Sequence, residues 1–338
     1  NEKEGLVRFI LFKTPLICVG RNYCSQDASR ARVFFRNMKK IAVVTGGAGF
    51  IGSHLVDELI CRGYTVRVVD NLIASKRSNV NKKADFYKKD IRDNKALANI
   101  FSGAYVVFHL AALPRVEYTI QNPIETHDVN VNGTLNVLDI AKSSGVSRVV
   151  LASSAAIYGD NQECPLNEDL APTPLSPYAL HKYICEQYLT LFSKLYGLNT
   201  VSLRFFNVYG PRLDPDGPYA LVIGRFLKLR KEEKSLTITG DGKQTRDFIH
   251  VYDVVSALIT AAESVNVEKG EVINVGTGIE TSVNELAALF GGEKTYVSAR
   301  TEPRASSADI KKAKKLLDWE PLISLADGVA ELKKEFGL

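Results

Sequence analysis

The sequence predicts an α/β protein, a doubly wound parallel sheet followed by a smaller C-terminal α/β lobe. Two observations carry that expectation. From Ile41 to about Val208, short apolar runs alternate with helix-periodic segments, the pattern of parallel strands covered on both faces by helices. Beyond Val208 the alternation loosens, with Pro211, Pro215, Gly217 and Pro218 interrupting it and shorter αβ pieces following. The expected division is an extension at 1–37 outside the fold, a first domain at 38–207 and a lobe at 208–338.

The fold opens with Ile41-Ala-Val-Val-Thr-Gly-Gly-Ala-Gly-Phe-Ile-Gly-Ser-His54, a buried strand running through glycines into an amphipathic helix. Leu55, Val56, Leu59 and Ile60 give that helix a face to bury, and Gly63 ends it. Gly46, Gly49 and Gly52 let the backbone turn tightly, approach a pyrophosphate and pack helix on strand. The helix start offers free N–H groups and the positive end of its dipole. A second strand, Thr65-Val-Arg-Val-Val-Asp70, ends in an acid 18 residues beyond Gly52, close to the ~20 at which a carboxylate reaches the adenosine ribose. A ligand-free turn would account for the glycines alone. Strand, glycines, helix, second strand and terminal acid in order point to a dinucleotide site. Asp70 favours NAD, because a carboxylate repels the 2′-phosphate of NADP; Lys76 and Arg77, just beyond, are cations able to offset that repulsion.

A polar loop, 71–83, leads to a short strand at Asp85-Phe-Tyr and to Asp90-Ile91, expected to end a third strand beside the adenine. Lys95 to Phe101 reads as a short helix and Tyr105 to Ala112 as a covered strand, whose end, Leu110 to Leu113, should meet the cofactor. Pro123 to Ser144 reads as one long helix stopped by Gly145, and Arg148 to Ser154 as another buried strand. In the second lobe, helices are expected near 221–231, at Val251 to Ser264 and at Ser282 to Phe290, with a strand at Leu236-Thr-Ile-Thr. Its short pieces suggest no independent core, and the cleft between lobes is the natural substrate site.

The 338 residues are 45% hydrophobic and 24% charged, enough for a large soluble fold. Residues 1–37 hold seven Lys/Arg and three Asp/Glu, leaving 36 and 35 for the remainder, so the formal charge of +5 falls to +1 in the body. No basic stripe suggests nucleic acid as a partner. Cys18, Cys24, Cys61, Cys164 and Cys185 show no C-x-x-C spacing, which indicates neither a disulfide framework nor a metal site and suits a reducing cytoplasm. No apolar run reaches the ~18 residues of a membrane span. Met38, the only methionine, stands just before the first strand and is read as the natural start; the alternative is that 1–37 form a genuine basic arm.

Tyr178-Ala-Leu-His-Lys182 opens a helix after Ser176-Pro177, placing Tyr178 and Lys182 on one face. A neighbouring ammonium favours the ionised phenol, so the pair is expected to form a general base. Ser153-Ser154 ends the preceding strand at the crevice, where Ser154 can bond both a substrate hydroxyl and Tyr178.

With these residues the chain resembles the extended short-chain dehydrogenase/reductase family, within it the nucleotide-sugar 4-epimerases, over nearly all of 38–338. The resemblance rests on Thr45-Gly-Gly-Ala-Gly-Phe-Ile-Gly52, Asp70-Asn-Leu, His109-Leu-Ala-Ala112, Asn130-Val-Asn-Gly-Thr134, Ser153-Ser-Ala-Ala-Ile-Tyr-Gly159, Tyr178 to Lys182, Leu203-Arg-Phe-Phe-Asn-Val-Tyr-Gly210 and Arg246-Asp-Phe-Ile-His-Val-Tyr-Asp253. It implies a Rossmann-like NAD domain with contacts at Phe50, Ile51, Asp70, Asp90, Ile91, Leu110, Asn130, Lys182 and Phe206. Asn71, Ala111, Ala112, Ser153 and Tyr178 complete the expected cofactor set. Asn207 and Arg246 match positions that hold the nucleotide diphosphate. Glu302 matches the acid of a clamp whose arginine is displaced here to Arg300 or replaced by Arg304.

Ser306 matches a site that is a bulky Tyr in epimerases restricted to plain hexoses and small in those accepting an N-acetyl group. The related 4,6-dehydratases carry an Asp-Glu pair where this chain has Ala155 and Ala156, which disfavours elimination. The implied activity is NAD-dependent 4-epimerisation of UDP-glucose and UDP-galactose, and of the UDP-GlcNAc/UDP-GalNAc pair. A dehydratase or decarboxylase of the same family and a non-catalytic NAD-binding regulator are the alternatives. The resemblance also implies a homodimer through the helices at 123–144 and 178–196, to which Tyr188 and Leu191 are expected to add exposed apolar surface.

Overall fold

The computed structural model describes residues 40–215, 222–267, 269–299 and 303–338. The extension at 1–37, Met38, Arg300 and Glu302 lie outside them. In the first lobe the elements are β1 Ile41–Thr45, α1 Phe50–Cys61, β2 Thr65–Val69, β3 Asp85–Tyr87, α2 Asn94–Phe101, β4 Val106–His109, α3 Val116–Gln121 and α4 Pro123–His127. A π-helical stretch, Asp128–Asn132, comes next, then α5 Gly133–Ser143, β5 Arg148–Ser154, α6 Pro177–Tyr196 and β6 Asn199–Phe205. The chain continues with β7 Asn207–Tyr209, α7 Val222–Lys231, β8 Leu236–Thr239, β9 Thr245–Arg246, β10 Phe248–His250 and α8 Val251–Glu263. It ends with β11 Glu271–Val275, β12 Thr281–Ser282, α9 Val283–Phe290, β13 Lys294–Val297, α10 Lys311–Leu317 and α11 Leu325–Phe336.

Seven parallel strands in the order β11-β6-β5-β4-β1-β2-β3 form the central sheet. Successive strand residues face opposite ways, so Val43 enters one core layer with Leu97, Leu138 and Leu189 while Val44 enters the other with Leu55, Leu59 and Leu258. Both faces are therefore apolar, as the uninterrupted hydrophobic runs require. Helix α6 has the local signals its length needs: Ser176 Oγ accepts the Ala179 N–H, Pro177 occupies the first turn, and Gly197 closes it in the left-handed region.

Four expectations are corrected. The single helix anticipated over 123–144 is interrupted by the π stretch, which turns Asn130 inward. Its Oδ1 accepts the Leu113 N–H at 2.7 Å and its Nδ2 donates to the Leu113 carbonyl at 3.0 Å. The third strand ends at Tyr87, so Asp90 stands on the loop beyond it. The division at 207/208 is crossed twice, because β11 returns to the central sheet beside β6 and α8 packs with α1 in its core. Finally, the second lobe has a core of its own, with Ile223, Phe226, Leu227, Leu236, Ile238, Leu286 and Phe290 buried together. The amphipathic faces of α7, α9 and α11 converge there, which the shortness of each piece concealed. Among the described residues no helix is long and apolar enough to cross a membrane.

Phe226 is fully buried and meets Phe290 edge-on, 5.7 Å between ring centroids. Phe226→Ala should lose about 3–5 kcal/mol in denaturant unfolding, reflecting lost burial and a residual cavity.

Candidate active site

The crevice lies at the carboxyl ends of the strands, around the point where the chain order reverses between β1 and β4. There the turn after β1 presses against the end of β4. Gly46 has φ +72°, and a Cβ on it would stand 2.7 Å from the Ala111 nitrogen. A Cβ on Gly52 would collide with the Gly46 carbonyl. Gly49 caps α1 without any side-chain hydrogen bond, and the first turn carries no acid. The N–H groups and positive dipole end of a twelve-residue helix are thus left for an anion.

Asp70 follows β2 at the rim of this turn, accepting the N–H groups of Ala48 at 3.0 Å and Leu72 at 2.9 Å and the Ser75 hydroxyl at 2.7 Å. Asp90 accepts Asn71 Nδ2 at 3.1 Å, and its hydrogen bond with Arg92 holds its carboxyl down at about 2. The anionic rim and the bare helix start fit the adenosine and pyrophosphate of a dinucleotide.

Most of the expected cofactor residues line this one cavity of about 1000 Å³, open mouth included. They are Gly46, Gly49, Phe50, Ile51 and Gly52 at the first turn, and Asp70, Asn71, Asp90 and Ile91 at the adenosine end. Leu110, Ala111, Ala112, Ser153, Tyr178 and Lys182 form the inner wall. Two do not belong. Asn130 is 2% exposed and committed to the Leu113 backbone, and Phe206 is turned into a small cluster with Tyr158, Leu166 and Ala308. Phe205 lines the cavity in its place.

At the inner end α6 meets the end of β5. Lys182 is buried; its Nζ donates to the Ala152 carbonyl at 2.6 Å and lies 5.9 Å from the centre of the Tyr178 ring. Ser154 hydrogen-bonds Tyr178, and its Oγ also accepts the Ala156 N–H at 3.2 Å. The pull toward the phenolate expected of the ammonium is opposed here by burial. Burial pushes the Tyr178 phenol up to about 12, and the Ser154 hydrogen bond opposes that rise only in part. Burial likewise lowers the Lys182 pKa.

Of the expected substrate residues, Asn207, Arg246 and Ser306 lie off this cavity, on segments gathered by a buried acid. Asp247 is fully buried and accepts Thr277 N–H at 2.8 Å, Thr277 Oγ1–H at 2.6 Å, Gly278 N–H at 2.9 Å and Ala308 N–H at 3.0 Å. Its carbonyl accepts both the N–H and the Nδ2 of Asn207, each at 3.0 Å. It therefore ties Asn207, Arg246 and the chain just after Ser306 together. Arg246 Nη1 donates to the carbonyls of Thr245 at 2.7 Å and Pro303 at 2.9 Å, and Ser306 is half-buried. Arg304 is exposed and paired with Asp241 at 2.9 and 3.1 Å. The signal for Asp247 was its place inside Arg246-Asp-Phe, but an acid beside an arginine reads as a surface pair until its burial is seen.

In sequence and fold the chain is similar to several characterised proteins. A Thermotoga maritima UDP-glucose 4-epimerase solved with UDP-glucose is 40% identical, with a TM-score of 0.83 over 88% of this chain and 98% of that one. A UDP-N-acetylglucosamine 4-epimerase from Methanobrevibacter ruminantium, solved with UDP-N-acetylmuramic acid, is 36% identical, with a TM-score of 0.83 over 89% and 99%. A UDP-N-acetyl-alpha-D-glucosaminuronate decarboxylase from Bacillus cytotoxicus is 36% identical over 87% of this chain and 97% of that protein. The model of the NAD dependent epimerase/dehydratase family matches residues 42–276, and to that family this chain belongs, with NAD as its cofactor.

Proposed function

We propose that the protein interconverts UDP-hexoses that differ at C4. The observation that carries this reading is the meeting of Ser154, Tyr178 and Lys182 at the inner end of the NAD crevice, with the turn Ala155–Tyr158 beyond Ser154 offering methyl groups at its first two positions. Bound NAD supplies a hydride acceptor at C4 and a positive charge that favours the phenolate. Tyr178 takes the proton of the sugar 4-hydroxyl and returns it after the 4-keto sugar has turned over. Ser154 holds the hydroxyl–phenol pair in line, and Lys182 supplies positive charge beneath them. No acid stands at 155 or 156 to eliminate water.

Decarboxylation of a UDP-hexuronate begins with the same oxidation at C4 and is the second reading, supported by the decarboxylase relative. Incubation with UDP-galactose, UDP-GalNAc and UDP-glucuronate, with products identified, separates the two. Formation of the C4 epimers supports the first; carbon dioxide release from UDP-glucuronate alone sinks it.

Tyr178→Phe should keep fold and bound NAD while losing about 10²- to 10⁴-fold in turnover, since the ring still packs but no group takes the proton. Near-normal turnover in this variant would remove Tyr178 from the chemistry.

A homodimer through α4–α5 and α6 accords with this reading. Ile124 is 86% exposed, and Leu180, Leu191 and Leu195 are exposed on α6, whereas Tyr188 is half-buried against the core and drops out of the expected surface. Light scattering at micromolar concentration should give twice the chain mass, and Leu195→Glu should shift it toward the monomer.

Ser306 is the residue proposed to leave room for an acetamido group at C2. UDP-GlcNAc and UDP-GalNAc should then interconvert, with plain hexoses also accepted. Ser306→Tyr should block the N-acetylated pair and spare UDP-galactose, an overpacking penalty of about 1–3 kcal/mol, or roughly 5- to 150-fold. Equal loss on both substrates would show that position 306 does not gate the choice.

A further inference from the structure

Helix α6 presents three side chains, one turn apart, to three consecutive residues at the end of β5. Tyr178 meets Ser154, Lys182 Nζ binds the Ala152 carbonyl at 2.6 Å, and Glu186 Oε1 accepts the Ser153 hydroxyl at 2.5 Å. The first two belong to the acid/base set; the third does not. Glu186 is fully buried, and Arg204 of β6 grips it through Nε to Oε1 at 3.0 Å and Nη2 to Oε2 at 2.8 Å. The Arg204 guanidinium stacks over the Tyr158 ring at 4.7 Å, and the Tyr158 hydroxyl donates to Asn274 Oδ1 at 2.8 Å. An ion pair removed from water gains little over an apolar pair of the same volume, so stability alone does not account for it. Its geometry does: a carboxylate held at both oxygens can fix a strand end to within a fraction of an ångström.

We propose that Glu186 is a positioning residue for the acid/base set. Through Ser153 it fixes the strand end that carries Ser154, and its charge, balanced by Arg204, sets the potential felt by Lys182 and Tyr178. The inference rests on the reading of Tyr178 as the group that takes the substrate proton.

Burial lowers the Lys182 pKa, while Cys185 and Glu186 oppose that fall. The titratable groups around the pair are Tyr178, His181 and Cys185 on α6, Arg204 on β6, Tyr158 on the turn after β5, His109 on β4, and His127 of α4 behind His181. Burial holds His109 at about 3 and His181 at about 4, so both are neutral through the working range. It also raises Cys185, and it pushes Tyr158 up to about 12. In this proposal the effect on Tyr178 passes through Lys182, whose charge Glu186 supports and whose supporting anion Arg204 balances. Removing an anion eases proton loss from every neighbour, whereas removing a cation hinders it.

Glu186→Gln and Arg204→Met should therefore displace the pH–rate profile in opposite directions, the first to lower and the second to higher pH, each by about one unit. Both should lower kcat about tenfold with KM and bound NAD little changed; Ser153→Ala should lower kcat without displacing the profile, and Glu186→Asp should recover part of the loss. The Tyr178 phenol, titrated by its ultraviolet tyrosinate band against the same protein carrying Tyr178→Phe, should move with the profile. Displacement of both variants in one direction, or of neither, overturns the proposal. If Arg204→Met does not fold, the contrast between Glu186→Gln and Ser153→Ala decides: displacement in the first alone upholds it, and the same behaviour in both overturns it. Should the wild type turn over no nucleotide sugar, the epimerase reading fails, and the phenol titration still judges the electrostatic claim.

Discussion

The structure depends on a backbone approach that no side chain can enter, where Gly46 of the first turn rests against Leu110 and Ala111. That approach is held by a buried chain of hydrogen bonds. Thr45 Oγ1 bonds His109 Nδ1 at 2.7 Å, His109 Nε2 bonds Thr134 Oγ1 at 2.9 Å, and Thr134 Oγ1 donates to the Asn130 carbonyl at 2.6 Å. Because the threonine at 134 donates its proton to Asn130, it must accept from Nε2–H, which fixes the neutral imidazole tautomer. Burial, holding His109 at about 3, preserves that state. One polar line thus connects the strand before the glycine turn to the π stretch after α4. The same Asn130 then fastens Leu113 at the cavity wall, so cofactor turn, inner wall and irregular helix are set by a single network.

The inner end of the crevice shows what burial does to an acid/base pair. A phenol and an ammonium are brought together out of water, and the desolvation of each pushes the phenol up and the amine down, away from the ion pair that proximity alone would favour. Proximity in the sequence reveals only the favourable half of that balance. The opposing half is set by what surrounds the two residues, which includes Glu186 and Arg204, separated by 18 positions in the chain and joined only by the packing of α6 on β6.

This difference explains which parts of the molecule could be read from its residues. Strand bounds such as Arg148–Ser154 and Leu236–Thr239 derive from local periodicity and match the structure residue for residue, and several helices fall within a residue of expectation. The glycine turn and the Tyr178/Lys182 spacing are equally local, and both line the one crevice. The features that escaped depend on contacts distant in sequence. The π stretch forms because Asn130 finds Leu113, the second-lobe core forms because three short helices converge, and Phe205 rather than Phe206 faces the cavity because the pleat of β6 decides the side. Asp247, buried among four donors from two distant segments, looks in sequence like an ordinary surface acid beside an arginine.

The same contrast separates the acid/base set from the segments proposed to meet the sugar. The Ser154, Tyr178 and Lys182 set stands on the rigid sheet and its longest helix, where a shift of an ångström would be resisted by two core layers. The segments proposed to meet the sugar hang instead from Asp247, whose four accepted hydrogen bonds gather short strands and loops that need only keep their donors in place. Side chains there, at Ser306 or beside Arg246, can change without disturbing the carboxylate that holds them, because its four accepted hydrogen bonds come from main-chain N–H groups and one threonine hydroxyl. In the proposed reading, the groups that serve oxidation at C4 are the ones built into the sheet and its long helix. On the same reading, the choice of sugar falls to the segments gathered by Asp247, which stand apart from the acid/base set.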